Sequence, residues 1–253
     1  MVGLSCAAHA LWLSGYPDQA QKQNAKALTL AHQLPHPHTR AHALGFAASF
    51  YQFRRETQAV SEHVEAVMAL SRKQEFAQWL AWGAMLRGWV LVEQGQGAEG
   101  MTHMRQGLDA FDNIGAALGR PYWLALLAEA WGKVGQAEEG LRALAEALDA
   151  IYTSGEGRWE AEICRLRGEL LLAPAAAHDD EAEASFQQAL DVARRQQAKS
   201  LELRAAISLS RLWRRQGKQV EARQLLGTVY GWFTEGFATA DLQEAQALLA
   251  ELS

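Results

Sequence analysis

The sequence contains little cysteine and no long hydrophobic run. Its two cysteines, Cys6 and Cys164, lie far apart and match no metal-ligand spacing, which argues against a disulfide scaffold and favours a reducing, cytoplasmic compartment. The longest charge-free apolar segment, 76–86, is about half of the roughly 20 residues that a membrane span requires. We therefore expect neither membrane insertion nor secretion.

Proline is also scarce, with only five residues in 253. The abundant Ala, Leu, Gln, Glu and Arg are good helix formers, so we expect an all-α protein. With 49% hydrophobic and 21% charged residues, the composition is that of a globular chain rather than a disordered one. The net charge of -5 argues against a surface built for phosphate backbones, so we expect no specific nucleic-acid binding.

Internal repetition is the strongest signal in the sequence. Segments 95–100 and 135–140 read GQGAEG and GQAEEG, and they lie forty residues apart. Small residues line up at a spacing close to forty, at Ala20, Ala59, Gly100, Gly140, Ala182 and Ala222. A second set follows seven residues further on, at Ala27, Ala66, Gly107, Ala147, Ala189 and Val229. These sets predict the positions at which one helix packs closely on another.

Each period consists of two amphipathic segments separated by a turn. Leu124, Leu127, Ala128 and Trp131 have the one-face spacing of a helix before a break at Gly135. Other turns fall at 15–17, 54–56, Gly95, 173–174 and Gly217. We expect one domain, 1–253, with helix hairpins at about 1–34, 38–72, 77–114, 118–153, 158–198 and 200–234. A last helix over 239–252, capped by the Thr239 hydroxyl, seals the final core.

These residues resemble the tetratricopeptide pattern, W-x2-L-G-x2-Y followed by A-x3-F. Ala182 and Phe186 match its second half, and segment 124–131 matches its first half in part, with aliphatic residues and Trp131 replacing the aromatics. The period of about forty exceeds the usual 34, which suggests longer helices. The resemblance implies a right-handed α-solenoid of about six helix hairpins plus a C-terminal capping helix.

Segments 159–162, 194–204 and 230–237 look like the C-terminal arm of large bacterial signalling ATPases. In that family the arm follows an ATPase module, often with an adenylate or guanylate cyclase domain or a DNA-binding domain further upstream. The sequence has no G-x-x-x-x-G-K-[ST] motif and no recognisable cyclase core, so we interpret it as an excised or stand-alone arm. The resemblance implies a non-enzymatic interaction or sensor arm that binds a protein or peptide segment. The alternative is a small-molecule effector receptor that regulates an attached ATPase, cyclase or transcription activator.

A stripe of large apolar residues on one first helix is the main candidate for the binding surface. Trp82, Met85 and Trp89 fall at i, i+3 and i+7, and in tetratricopeptide folds the first helices line the concave groove. Core packing is the competing interpretation for the two tryptophans. The equivalent positions of the other periods complete the predicted groove, which runs from aromatic to charged: Trp12, Tyr51, Tyr122, Glu162, Arg165, Glu169, Arg204, Arg211 and Arg214.

Two other clusters have simpler interpretations. His32, His36, His38 and His42 lie close together, but no carboxylate or cysteine accompanies them, so we predict a solvated loop and no metal, cofactor or catalytic site. Segment 194–223 holds nine basic and two acidic residues. A solvated face with local ion pairs is the first interpretation, an acidic protein partner the second and nucleic acid the third.

Overall fold

The computed structural model describes residues 1–115, 119–173 and 178–252, and within these ranges it contains thirteen α-helices and no β-strand. The helices are α1 (Val2–Leu13), α2 (Pro17–Gln33), α3 (Pro37–Phe53), α4 (Thr57–Gln74), α5 (Ala77–Glu93), α6 (Gly97–Asn113), α7 (Arg120–Lys133), α8 (Ala137–Ser154), α9 (Glu160–Leu171), α10 (Asp179–Arg195), α11 (Lys199–Arg215), α12 (Gln219–Tyr230) and α13 (Ala240–Glu251). A 3₁₀ turn, Gly157–Trp159, precedes α9. The expected start of a hairpin at 118 and the break at Pro174 lie outside the described residues.

The first twelve helices form six hairpins in chain order. The first hairpin pairs α1 with α2, the last pairs α11 with α12, and α13 packs on α11 and α12. Apart from the fifth hairpin, whose turn lies partly outside the described residues, each turn inside a hairpin contains a residue with left-handed backbone, such as Gly95 with φ of 81° and Gly135 with φ of 78°. In the second hairpin a non-glycine residue, Arg55, takes this role with φ of 62°. The predicted α-solenoid of six hairpins and a final helix is confirmed.

The first and second helices of a hairpin differ in how much of their surface is buried. In α8, a second helix, a single stripe that includes Gly140, Leu144, Ala147 and Ile151 is buried, and the opposite face is exposed. In α7, a first helix, every residue from Pro121 to Ala128 is buried. First helices contact their own partners and also the first helices of adjacent hairpins, as α7 contacts α5 and α9. They therefore carry apolar residues on several sides.

The predicted register of small residues is correct in five hairpins and wrong by one residue in the second. Ala59 is half-buried and Ala66 is exposed, whereas the adjacent Val60 and Val67 are buried. Valine at these positions preserves the forty-residue spacing to Gly100 and to Gly107. Ala59 and Ala66 fit the pattern of small residues, but each lies one position before the buried face of α4.

The C-terminal helix α13 begins and ends within a residue of its predicted bounds, but its predicted cap is wrong. The Thr239 hydroxyl donates a hydrogen bond to the backbone carbonyl of Gly236 at 2.7 Å and makes no capping bond to α13. Leu242, Ala245 and Leu248 of α13 are buried against the sixth hairpin. None of the described helices is both long and apolar enough to cross a membrane.

The solenoid curves until its two ends touch. The N-terminal end of α11 contacts the C-terminal end of α1, where the Ser200 hydroxyl donates to the Trp12 carbonyl at 2.5 Å. The Arg204 guanidinium donates to the Phe53 carbonyl at the end of α3, also at 2.5 Å. These contacts join residues about 150 to 190 positions apart. The described chain therefore forms a closed ring of hairpins around a central space.

Candidate functional site

The central space contains a cavity of about 860 Å³. Its walls come mainly from the first helices of hairpins two to six, α3, α5, α7, α9 and α11, together with α13. The second helices lie on the outside of the ring and contribute only Thr57 of α4 to the lining. The expectation that first helices line the concave surface therefore agrees with this arrangement.

Aromatic side chains form one end of the cavity. Tyr122 and Trp159 stack with ring centroids 5.0 Å apart, and Phe53 contacts both rings at 5.6 and 4.9 Å. The Tyr122 hydroxyl donates to Gln52 Oε1 at 2.8 Å, and burial raises the pKa of the phenol. These contacts connect hairpins two, four and five across the ring, so this end of the central space is filled by side chains.

Charged side chains form another part of the cavity wall, and they include a buried ion pair on α9. Arg165 makes two hydrogen bonds to the Glu162 carboxylate, at 3.0 and 2.8 Å. Arg204 of α11 reaches the same carboxylate at 3.4 Å and Asp241 of α13 at 2.8 Å. Burial alone would raise the pKa of Glu162, but the charges of Arg165 and Arg204 lower it to about 2. This network fastens three helices together.

Further pairs continue along the wall toward the C-terminal ends of the first helices. The Lys133 ammonium contacts both Glu93 and Glu129, and the Glu169 carboxylate accepts a 2.5 Å hydrogen bond from Ser208. Arg211 pairs with Glu244 of α13 at 2.7 Å, and Arg214 pairs with Glu251. Every carboxylate that lines the cavity lies within 4 Å of a basic side chain. The wall thus presents fixed donors and acceptors.

Eight of the twelve residues predicted for the groove line this cavity: Trp89, Tyr122, Glu162, Arg165, Glu169, Arg204, Arg211 and Arg214. Their role in binding stays a prediction. Trp89 is only 3% exposed, and its Nε1 has no hydrogen-bond partner among the described residues. That nitrogen is itself buried, so Trp89 is a core residue that also borders the cavity.

The other four residues face elsewhere, and their placement in the groove is wrong. Met85 is fully buried against Gly107 of α6, and Trp82 donates to the Ser49 hydroxyl at 3.0 Å inside the core. Trp12 is buried beneath the Arg204 guanidinium, with 5.0 Å from Cζ to its ring centre. Tyr51 accepts a hydrogen bond from Gln21 of α2 and so points to the second helices. Core packing, the competing interpretation, is correct for Trp82.

Several lining residues were not predicted from the sequence. Trp159 lies in the turn before α9, outside the helical register on which the prediction depended. Arg55, Asp241 and Glu244 reach the cavity because the ring closes, and the closure depends on superhelical curvature. Nothing in a forty-residue repeat pattern encodes that curvature. The capping helix could have suggested Asp241, since a buried acid on a last helix needs a basic partner.

The histidine cluster serves the packing of α3. His36 caps this helix by accepting a hydrogen bond from the Thr39 amide at 3.2 Å. His42 stacks on Phe46 with centroids 4.2 Å apart, and burial lowers its pKa to about 4. His38 and His42 lie on α3, inside the hairpin predicted to begin at 38, and His42 packs on aromatic residues instead of being solvated. Within the described residues, no group of three or more His, Cys, Asp or Glu side chains could hold a metal ion.

The basic segment 194–223 is largely neutralised by acidic residues of other helices. Arg195 approaches Glu160 of α9 at 3.6 Å, Lys218 pairs with Glu183 of α10 at 3.2 Å, and Arg215 lies 4.0 Å from Asp179. The interpretation of this segment as a face with local ion pairs is supported by these distances. Isolated pairs of this kind contribute less than about 1 kcal/mol each.

Comparison with known sequences gives one curated relative and no matching family model. The relative, an uncharacterised protein of Rhizobium meliloti (strain 1021), is 28% identical over 211 residues. The match covers 83% of this chain but 20% of the relative, so the chain spans about a fifth of that protein's length.

Comparison with solved structures identifies the fold. A Rap protein complexed with competence and sporulation factor superposes with a TM-score of 0.69 at 13% identity, over 98% of this chain and 69% of that one. NprR in complex with its cognate peptide NprX gives 0.62 at 10% identity, over 99% and 71%. A signal transduction ATPase with a tetratricopeptide repeat sensor, from Pyrococcus horikoshii, gives 0.57 at 13% identity, over 94% and 36%. At these identities the likeness establishes a tetratricopeptide-like helical-repeat fold.

Proposed function

We propose that the chain is a non-enzymatic sensor or interaction arm that binds a peptide segment of a partner in the central cavity. The observation that carries this proposal is the composition of the cavity wall. Aromatic rings form one end, and spaced, fixed donors and acceptors follow along the same helices, as Tyr122 and Glu129 do on α7. An extended peptide needs both, because its side chains require apolar contacts and its backbone amides require hydrogen bonds.

The state of the charged side chains supports binding rather than catalysis. The carboxylates of the wall are ion-paired, and Glu162, with a pKa lowered to about 2, is a poor proton acceptor or donor near neutral pH. Two of the solved structures with this fold are a Rap protein complexed with competence and sporulation factor and NprR in complex with its cognate peptide. These complexes support a peptide as the ligand of this chain.

A small-molecule effector is the second candidate, and the size of the cavity favours it. A volume of about 860 Å³ falls within the range of roughly 300–1,000 Å³ that is typical of small-molecule sites. Either ligand would act as a signal if the arm is attached to a catalytic module. The Pyrococcus horikoshii signal transduction ATPase has a tetratricopeptide repeat sensor, which supports an attached ATPase module.

The proposal is tested by selecting binders from a library of short random peptides on the purified chain. Binding of the selected peptides is then measured by calorimetry for the parent chain and for Arg211→Ala, which removes a half-exposed cation from the cavity wall. We expect affinity to fall about tenfold, since a hydrogen bond to a charged group contributes about 1.5 kcal/mol.

Arg142→Ala is the matched control. Arg142 is an exposed arginine on the outer helix α8, and it also forms one ion pair, with Glu139. It should leave affinity unchanged. Equal losses in both variants, or no loss in Arg211→Ala, would contradict the assignment of the cavity as the binding site. A panel of metabolites is tested in the same assay, and binding of a metabolite that depends on Arg211 would indicate the small-effector alternative.

A further inference from the structure

The outer side of α1 is apolar and uncovered. Among the described helices, α1 alone contains no Asp, Glu, Lys or Arg. Its exposed residues share one side of the helix, and they are Val2, Gly3, Cys6 and Ala10. Val2 is 53% exposed, and beyond the local backbone and chain neighbours no atom lies within 4 Å of a Cβ added at Gly3. A terminal helix of a repeat protein normally has a polar outer face, as α13 has with exposed Gln243 and Gln246.

The repeat register gives each of these residues an equivalent in later first helices. The turn glycines Gly15, Gly95 and Gly135 all have left-handed backbone, and their spacing sets offsets of 80 from α1 to α5 and of 120 from α1 to α7. The equivalents in α5 are Trp82, Gly83, Leu86 and Val90, and those in α7 are Tyr122, Trp123, Leu126 and Ala130. All of them are buried. The side that α1 exposes is therefore the side that α5 and α7 bury.

In α5 and α7 this side packs on the preceding hairpin. Against the preceding first helix, the Trp82 ring stacks on Phe46 of α3 with centroids 5.5 Å apart. Against the preceding second helix, a Cβ at Gly83 would lie 2.5 Å from Met68 Cγ of α4. One hairpin further on, the Trp123 ring of α7 contacts Trp82 of α5 at 4.7 Å. The exposed side of α1 thus has the position and the apolar chemistry of a contact between consecutive hairpins.

The closing contacts of the ring leave this side of α1 free. The Ser200 hydroxyl of α11 donates to the carbonyl of Trp12, the last residue but one of α1. In the turn that follows, Gly15 lies close to the Trp232 ring. Both contacts are at the C-terminal end of α1, whereas Val2 and its neighbours lie in the first turns and stay exposed. The side of these first turns is therefore available to another helix.

We propose that the exposed side of α1 is the docking surface for a further helix hairpin of the same repeat type, which lies on the N-terminal side of α1 in the full-length protein. The first helix of that hairpin packs on Val2 and its second helix on Gly3, as α3 and α4 pack on Trp82 and Gly83. Burial of this side is favourable, because it removes apolar surface from water and desolvates no charge. The surface is independent of the ligand proposed for the cavity.

An added hairpin and the reactivity of Cys6 test this surface. In the extended chain, a copy of residues 37–81 is joined in front of Val2, so that the copies of α3 and α4 precede α1 as α3 and α4 precede α5. Cys6 is exposed in the parent chain, whereas its equivalent, Leu86, is fully buried. We therefore expect labelling of Cys6 by a maleimide reagent to slow about tenfold or more in the extended chain. Cys164, which is buried, monitors unfolding in both chains.

Two substitutions in α1 test the register, and each is measured in the parent and in the extended chain. Gly3→Gln places a side chain where the copied Met68 packs, so Cys6 should be labelled at nearly the same rate in both chains. Ala10→Val is the matched control, because its equivalent in α5, Val90, is buried. This control should keep Cys6 protected in the extended chain.

A second extended chain, with a copy of residues 77–121 in front of Val2, repeats the test with α5 and α6, since Tyr122 is the α7 equivalent of Val2. Equal labelling of Cys6 in the parent and in both extended chains would overturn the proposal. Protection that persists in Gly3→Gln would overturn it too, because the added hairpin would then not pack as α3 and α4 pack on α5. So would protection in the parent chain that increases with protein concentration, since a second copy would then cover α1.

Discussion

At the scale of single residues, glycines set the distance between the paired helices α5 and α6. A Cβ atom at Gly88 would lie 2.5 Å from the Gly100 carbonyl oxygen, and a Cβ at Gly100 would lie 2.6 Å from the Gly88 carbonyl oxygen. Backbone atoms cannot move aside as a flexible side chain can. The repeat alignment identified Gly100 as a close contact, and the structure shows that Gly88 is its partner.

Gly88→Ala should destabilise the chain by about 1–3 kcal/mol, because the added methyl group forces the two helices apart. Gly227→Ala is the matched control in a helix interior, where the nearest atom to the added Cβ is a Leu249 methyl carbon at 3.9 Å. This control should be neutral or stabilising by up to about 1 kcal/mol. Urea unfolding followed by circular dichroism measures both. Equal stability of the two variants would contradict the close approach at Gly88.

The buried histidine of α1 makes the stability of the fold depend on pH. His9 Nε2 donates to the Phe46 carbonyl at 2.9 Å, and burial lowers the pKa of the ring to about 4. Because the pKa is about 6.5 in the unfolded chain, the unfolded state binds the proton more tightly. His9 therefore contributes its full stability above pH 6.5, and this contribution is lost as the pH falls toward 4.

We expect His9→Gln, which keeps a donor but does not titrate, to reduce the loss of stability between pH 7 and about 4.5 by roughly 2.5 kcal/mol. The Glu162 carboxylate affects stability mainly below pH 4.5, since its pKa is about 2 in the folded chain and about 4.5 in the unfolded one. The measurement is urea unfolding of parent and variant at both pH values, with His32→Gln at an exposed position as the control. An unchanged pH dependence in His9→Gln would show that His9 is not buried as a neutral ring.

At the scale of the elements, the ion pairs between first helices fix the shape of the inner wall. Glu162 of α9 contacts Arg165 on its own helix and Arg204 on α11, and Arg204 continues to Asp241 of α13. The repeat spacing predicted that Glu162, Arg165 and Arg204 line the same groove, and all three line the cavity. It did not show that they bind one another, because the pairing depends on how closely α9 and α11 approach.

Glu162→Gln should cost about 3 kcal/mol, since it leaves the buried Arg165 without its main counter-charge. Glu139→Gln removes one partner of an exposed pair on α8 and should cost less than about 1 kcal/mol. Thermal and urea unfolding of the two variants give the comparison. Similar small losses in both would mean that the Glu162 network is solvated and does not hold the wall in place.

The helices themselves were predictable because each carries its own signals. Turn glycines and the forty-residue register locate twelve helices, and the apolar stripe of a second helix such as α8 is visible in the sequence. First helices are apolar on several sides, so periodicity alone cannot separate core positions from groove positions. That ambiguity explains why Trp82 and Met85 were wrongly placed in the groove. Trp89, on the same helix, does border the cavity.

At the scale of the whole molecule, the closed ring could not be predicted from the sequence. Closure joins the Asp18 and Gln19 amides to Glu235, more than 200 residues away, and no repeat pattern reports such a contact. It results from a small rotation between successive hairpins that accumulates over six of them. The charged half of the predicted groove lies in the cavity because it follows the first helices. In the aromatic half, the Tyr122 ring packs against other aromatic rings and helps to fill one end of the ring of hairpins.

The most direct measurement of the central claim, that the first helices form the binding surface, is amide hydrogen exchange of the whole chain with and without a peptide selected on it. If the peptide occupies the cavity, the added protection falls on the first helices α5, α7, α9 and α11 and on α13. The outer helices α4, α6, α8 and α10 should exchange as before. Protection confined to those outer helices would contradict the claim.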